Sequence, residues 1–268
     1  MSHIRGHQGD RRATAYGGGW LTVPLPRPDA RLRLYCLPWA GAGAGAYRSW
    51  AEWFPPSVEV VPVALPGRER RLGEPPLRTV EAVADALVPV LADHIDRPYA
   101  VFGHSMGALV GYESVCRLTE AGRPPVRLVA SGSRAPHRPL REAGLHPLPR
   151  DRFLRAVRRL QPEPGGALDS PEMAELVAPA LQADFTAAET YLRPVGGPLG
   201  CPVSALGGTA DPLVDERDLR AWERHTTGPF ACHTVEGGHL FVTAAAVRVR
   251  ETVLAALDAN LDDLVRDE

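Results

Sequence analysis

Short, nearly continuous apolar runs alternate along the chain with stretches in which apolar residues recur every three or four positions. Arg31-Leu32-Arg33-Leu34-Tyr35-Cys36-Leu37 predicts a strand that ends at Pro38. Val58 to Leu65, Tyr99 to Phe102 and Val126 to Ser131 predict three more. Between them, Tyr47 to Phe54 predicts a short helix stopped by Pro55-Pro56. Thr79 is expected to cap a helix that turns Val80, Val83, Leu87, Val90 and Leu91 to one side, with Pro89 as a kink. Leu109, Tyr112, Val115 and Leu118 predict another helix, ending near Gly122. These strands are too apolar to face water. The alternation therefore implies an α/β architecture: a parallel sheet covered by helices on both faces.

The alternation then breaks. From about Pro136 to Pro198 nothing reads as a strand. Arg150 to Leu160 predicts an amphipathic helix with Phe153, Leu154, Val157 and Leu160 on its apolar side. Ser170-Pro171-Glu172 predicts a second helix start, followed by Met173, Leu176, Val177, Leu181, Phe185, Ala188 and Leu192 at helical steps. Strand pattern resumes at Pro202 to Leu206 and again at Phe230 to Val235. A helix through Arg224, capped by Asp215, and another from about Thr243 to Leu264 complete the series. Helices inserted between two strands of one sheet predict a lid, residues 136–198, over the strand ends where open α/β sheets bind ligands. The plainer alternative is an insertion that only widens the core.

Composition bounds the picture without deciding it. The 268 residues suit a single domain, expected over 20–268. Residues 1–19 are polar and rich in Arg and Gly; they lack the apolar core of a signal peptide and are expected to be disordered. A net charge of −2 predicts no general affinity for nucleic acid or anionic membrane. No apolar run is long enough to span a bilayer. Cys36, Cys116, Cys201 and Cys232 are far apart and form no Cys-x-x-Cys. They read as buried free thiols of a cytoplasmic protein.

Candidate chemistry centres on Gly103-His104-Ser105-Met106-Gly107. A Gly-x-Ser-x-Gly between a strand and a helix is the signature of a nucleophile elbow, in which the serine sits on a strained turn. A serine hydroxyl is a poor nucleophile and needs a base, which in turn needs an orienting carboxylate. In this architecture the chain order is Ser, then Asp or Glu, then His. Asp211, in Gly207-Gly208-Thr209-Ala210-Asp211, and His239, in Gly237-Gly238-His239, follow the last two strands and fit that order. Asp215 and Asp218 are rival carboxylates in a helical context, and Asp211 has the plainer reading of a turn residue. His104 reads as a packing residue; His94, His137, His146, His225 and His233 have no base-like setting. An oxyanion hole is expected from the backbone N–H of Met106 and of Ala40, the latter in the Gly/Ala loop after the first long strand.

Taken together, Leu37-Pro38-Trp39-Ala40-Gly41 with Tyr47 and Trp50, Leu65-Pro66-Gly67-Arg68, the elbow, Leu181-Gln182-Ala183-Asp184-Phe185 with Glu189 and Tyr191, and the loops of Asp211 and of His239 with Phe241 form a more specific pattern. From about residue 20 to 260 the chain resembles the type II thioesterases of polyketide and nonribosomal peptide synthesis. The resemblance implies an α/β-hydrolase fold, with a mostly parallel central sheet and a helical lid. It implies hydrolysis of acyl groups from the phosphopantetheine thiol of an acyl or peptidyl carrier protein, as an editing step that frees stalled or mis-primed units. It implies Ser105, Asp211 and His239 as the triad and the Ala40 and Met106 amides as the oxyanion hole, with no metal or redox cofactor. The chain departs from the family at Trp39, where His is frequent, and at Gly41-Ala42, where Gly-Gly is frequent.

From His137 to Leu160 seven arginines stand against two acids, Glu142 and Asp151. Carrier proteins are generally acidic, so a basic patch that includes Arg155 and Arg158 is expected to steer docking; an ordinary solvated helix face is the alternative. The same triad would serve a small-ester carboxylesterase or lipase, or a product-releasing thioesterase. The short tail and the lack of a carrier domain favour a free-standing enzyme over the latter. An intact Ser, Asp and His argue against a catalytically dead binding module.

Overall fold

Six parallel strands form the centre of the computed structural model, which describes residues 14–141, 144–160 and 167–266. A small antiparallel hairpin comes first, β1 (Thr14–Tyr16) and β2 (Leu21–Val23). The sheet strands follow: β3 (Leu32–Leu37), β4 (Val58–Pro62), β5 (Tyr99–His104), β6 (Arg127–Ser131), β7 (Val203–Gly208) and β8 (Phe230–Val235). Their order in the sheet is β4-β3-β5-β6-β7-β8. Every residue of β3, β4, β5 and β6 is buried, which is why these strands read as apolar runs without alternation. Edge strand β8 is only partly buried.

Helices cover both faces. Against one face lie α2 (Val80–His94) and α3 (Met106–Glu120), through Val83, Leu87, Leu109, Tyr112 and Val115. Against the other lie α1 (Arg48–Trp53), and further along the chain a short helix, Phe241–Ala244, and a long one, Ala246–Arg266, through Trp50, Phe241, Val249, Val253 and Leu257. Thr79 caps α2 as expected, its Oγ1 accepting from the Ala82 N–H at 3.0 Å. The helix continues unbroken through Pro89.

Between β6 and β7 lie α4 (Arg150–Leu160) and α5 (Pro171–Thr190). They bury Phe153, Leu154, Val157, Ala174, Ala178, Leu181 and Phe185 in a small cluster of their own, which also takes in Ala40 from the main body. After β7, the helix expected up to Arg224 is a short α6 (Glu216–Arg220) followed by a 3-10 turn, Ala221–His225. The final helix is divided at Ala245 into α7 (Phe241–Ala244) and α8 (Ala246–Arg266).

One boundary needs correction. Part of the segment expected to be disordered, residues 14–19, forms β1 and a 3-10 turn at Gly17–Gly19. The three glycines suggested flexibility, yet all three adopt positive φ and make the turn that returns the chain to β2. Residues 1–13 lie outside the described residues.

The sheet order fixes where a ligand can approach. From β3 the chain moves outward to β4, then returns to β5 on the opposite side of β3. The loops after β3 and β5 therefore diverge, and open α/β sheets form their ligand crevice at such a reversal. Those two loops carry Ala40 and Ser105.

Candidate active site

The turn after β5 is held in a conformation that few residues tolerate. Ser105 has φ 54° and ψ −117°, a strained backbone of the kind found at reactive centres and costing about 1–3 kcal/mol. A Cβ at Gly103 would stand 2.1 Å from the Gly107 carbonyl oxygen, and one at Gly107 would stand 2.3 Å from that of Leu37. Both positions therefore exclude any side chain. The Ser105 N–H donates to the Ser131 carbonyl at 2.7 Å, which ties the turn to β6. Helix α3 begins at the next residue, so its N-terminal end lies beside the serine.

Two loops bring partners to that hydroxyl. His239 Nε2 lies 3.0 Å from Ser105 Oγ, and His239 Nδ1 lies 2.9 Å from Asp211 Oδ2. The Asp211 carboxyl is fully enclosed and the imidazole side chain is 3% exposed. The Leu213 N–H donates to Asp211 Oδ1 at 2.8 Å, which fixes the carboxylate plane. An ionised carboxylate only accepts, so the imidazole proton sits on Nδ1 and Nε2 is left to accept from the serine. The turns after β7 and β8 are laced together by Thr209 N–H to Val235 O and Ala210 N–H to Gly237 O, both 2.9 Å. The rival carboxylates are engaged elsewhere. Asp215 caps α6, and Asp218 pairs with Arg138 at 3.3 Å and with Arg141. Among the described residues, neither the Ala40 nor the Met106 N–H is given to a protein acceptor.

Comparison with known proteins decides the family. A family model described as the thioesterase domain matches residues 32–258. The chain belongs to the thioesterase family. It is 38% identical to thioesterase PikA5 of Streptomyces venezuelae, over 87% of this chain and 83% of that one. It is 36% identical to the gramicidin S biosynthesis protein GrsT of Aneurinibacillus migulanus, over 83% of this chain and 88% of that one. The solved structure of the type II thioesterase BorB, from the borrelidin biosynthetic cluster, superposes with a TM-score of 0.82 at 34% identity, over 88% of this chain and 96% of that one. The thioesterase accordingly has the α/β-hydrolase fold.

In this thioesterase His104 does more than pack. Its Nε2 lies 3.0 Å from the His239 carbonyl oxygen and its Nδ1 lies 2.9 Å from Ser131 Oγ. A carbonyl can only accept, so Nε2 carries the proton and Nδ1 accepts from the Ser131 hydroxyl. Complete burial holds its pKa well below the ordinary 6.5, so the ring stays neutral. Trp39 is buried and meets the edge of His104, with ring centroids 5.8 Å apart. The one sequence signal for His104 is a polar side chain ending an otherwise apolar, fully buried strand.

The arginine count of the insertion divides in space. Arg138 and Arg141 pair with the Asp215–Asp218 cap, and Arg150 pairs with Glu175 at 3.1 Å. Arg152, Arg155, Arg158 and Arg159 are exposed on α4, and no ion pair among the described residues involves them. The basic surface is thus smaller than the sequence count and confined to one helix. No helix among the described residues is long and apolar enough to cross a membrane.

Proposed function

We propose that this thioesterase hydrolyses acyl groups from the phosphopantetheine thiol of acyl or peptidyl carrier proteins, releasing stalled or aberrant units during polyketide or nonribosomal peptide synthesis. The observation that carries the reading is the unbroken chain of hydrogen bonds from Ser105 through His239 to Asp211, at the reversal of the sheet and in a chain of the thioesterase family. The pathway assignment draws on relatives such as the gramicidin S biosynthesis protein and the borrelidin-cluster thioesterase.

In this reading Ser105 Oγ attacks the thioester carbonyl carbon while His239 Nε2 takes its proton. Asp211 holds the imidazole in the required tautomer and stabilises the imidazolium. The carbonyl oxygen becomes an oxyanion facing the Ala40 and Met106 amides, each worth about 3 kcal/mol to the transition state. The carbon–sulfur bond then breaks, the departing sulfur takes the proton from His239 Nε2, and Ser105 is left acylated beside a neutral imidazole. A thiol with a pKa of about 8.5 departs more readily than an alcohol, so protonation by His239 matters less here than for an ester. Water gives a proton to His239 and attacks the acyl-serine; collapse returns that proton to Ser105 Oγ and frees the acid.

The exposed arginines of α4, Arg155 and Arg158 among them, offer a docking face for an acidic carrier. The experiment that tests the reading compares kcat/KM for an acyl-carrier thioester and an oxygen ester of the same acyl chain. A preference of at least tenfold for the carrier thioester supports it; a preference for the ester makes the protein a carboxylesterase.

A further inference from the structure

Two stretches of the family pattern, Leu65-Pro66-Gly67-Arg68 and Leu181-Gln182-Ala183-Asp184-Phe185, supply nothing to the triad. They meet at the loop after β3. The Arg68 guanidinium grips the Asp184 carboxylate with two parallel hydrogen bonds, Nη1 to Oδ2 at 2.5 Å and Nη2 to Oδ1 at 2.7 Å. Both side chains are buried, Asp184 to 3% exposure and Arg68 to 9%. The pair does not close on itself. Asp184 Oδ2 also accepts the Gly41 N–H at 2.8 Å, and Arg68 Nη1 also donates to the Ala42 carbonyl at 3.1 Å. The ion pair thus holds the main chain on both sides of the Gly41–Ala42 peptide.

The residue held is the neighbour of Ala40. Gly41 has φ 84°, a left-handed conformation that turns the chain sharply right after Ala40. Further along the loop, the next residue after Arg68 holds on from the other side. Glu69 accepts the Ala44 N–H at 3.1 Å and the Gly45 N–H at 2.9 Å, and itself adopts φ 47°, rare for a residue with a side chain. A Gly/Ala loop has no side chains of its own to fix its path. Here three charged side chains borrowed from elsewhere fix it, and one of them belongs to the insertion helix α5.

We propose that Asp184 and Arg68 are positioning residues that aim the Ala40 amide at the reacting carbonyl, so that helix α5 is part of the scaffold of the oxyanion hole. The inference rests on the reading of Ala40 as an oxyanion donor. It makes lid and catalytic centre one device. Helix α5 cannot move away from the body without breaking a buried, bidentate ion pair and releasing the Gly41 amide. A displaced insertion therefore loses transition-state stabilisation. A purely structural pair would fasten the insertion without altering the chemistry, and the two roles separate experimentally.

The test uses Asp184→Asn and Arg68→Lys in the full chain, with an acyl-N-acetylcysteamine thioester as substrate. The readouts are kcat, KM, affinity for a trifluoromethyl ketone of the same acyl chain, and affinity for the free acid. The ketone forms a hemiketal oxyanion on serine, whereas the acid does not. The expected result is kcat about ten- to a hundredfold lower, an equal weakening for the ketone, and KM and acid affinity within about threefold of wild type. Folded variants with kcat and ketone affinity within twofold of wild type overturn the proposal, as does equal loss of ketone and acid affinity. Glu69→Gln, outside the ion pair, carries the same prediction at smaller size if the first two fail to fold. Wild-type turnover and an inert Ser105→Ala keep this failure distinct from failure of the underlying reading. A wild type that hydrolyses the thioester yet ignores the ketone would refute Ala40 as donor, and with it the proposal.

Discussion

His104 gives its Nε2 proton to the backbone carbonyl of His239, 3.0 Å away, so the histidine beside Ser105 supports the loop that carries the His239 imidazole. The contact spans 135 residues of chain and crosses from β5 to the turn after β8. The carbonyl fixes the tautomer, and Ser131, at the end of β6, donates its hydroxyl proton to the free Nδ1 at 2.9 Å.

Replacement of His104 by Phe keeps an aromatic ring against Trp39 and Phe241 but leaves the His239 carbonyl without its donor. An unsatisfied buried carbonyl costs about 1–3 kcal/mol. The variant is expected to melt several degrees lower and to lose about tenfold or more in kcat, because the His239 imidazole is no longer fixed over Ser105. Thermal melts and steady-state kinetics check this. Wild-type kcat in the variant would reduce His104 to the packing residue that the sequence suggests.

Asp211→Asn tests the orienting role of the carboxylate. With an amide in place of an acceptor-only group, His239 can carry its proton on Nε2, the nitrogen that must receive one from Ser105. A fall in kcat of about 10⁴-fold is expected, with KM nearly unchanged. Steady-state kinetics on a small thioester would show it, and a fall below tenfold would remove Asp211 from the account.

These first two cases show what local sequence conveys. The convergence of Ser105, Asp211 and His239 was legible because each lies in a turn whose glycines and position after a strand are written in consecutive residues. The sheet strands were legible because burial on both faces leaves no polar position to blur them. The role of His104 was not legible, because its partners are a carbonyl 135 residues away and a hydroxyl 27 away. The same holds for Arg68 and Asp184, separated by 116 residues. Charge counting failed in part for a related reason. Arg138 and Arg141 are adjacent in sequence to the α4 arginines but point their charges at Asp215 and Asp218.

The exposed face of α4 makes a prediction about partners. Charge reversal at Arg155 and Arg158 should lower kcat/KM for an acyl-carrier substrate by about tenfold at low salt, with less effect at high salt. Turnover of a small thioester should not change. Parallel kinetics on the two substrates decide it; equal loss on both, or no loss, rejects docking at this face.

Acid stability follows from buried histidines. The Tyr112 hydroxyl, His225 and His137 form a chain with two 2.8 Å contacts. Burial, reinforced by His137 and the cationic Arg224 and Arg193, lowers His225 to about 4, and burial lowers His104 well below 6.5. In the unfolded chain both titrate near 6.5. As pH falls from about 6.5 toward 4, the unfolded state takes up protons that the folded state refuses, so stability declines across that window. The Tm at pH 5 should lie below that at pH 7, and His225→Gln should remove part of this slope. Melts at both pH values, for both proteins, check it; an unaltered slope in the variant contradicts the assignment.

The most direct test of the whole account is the fate of an acyl group on a carrier protein, followed by intact-protein mass spectrometry with wild-type enzyme and with Ser105→Ala. The prediction is that wild type returns the carrier to its free-thiol mass, while the variant does so at least about 10³-fold more slowly. Release by the variant within tenfold of the wild-type rate would contradict Ser105 as the nucleophile.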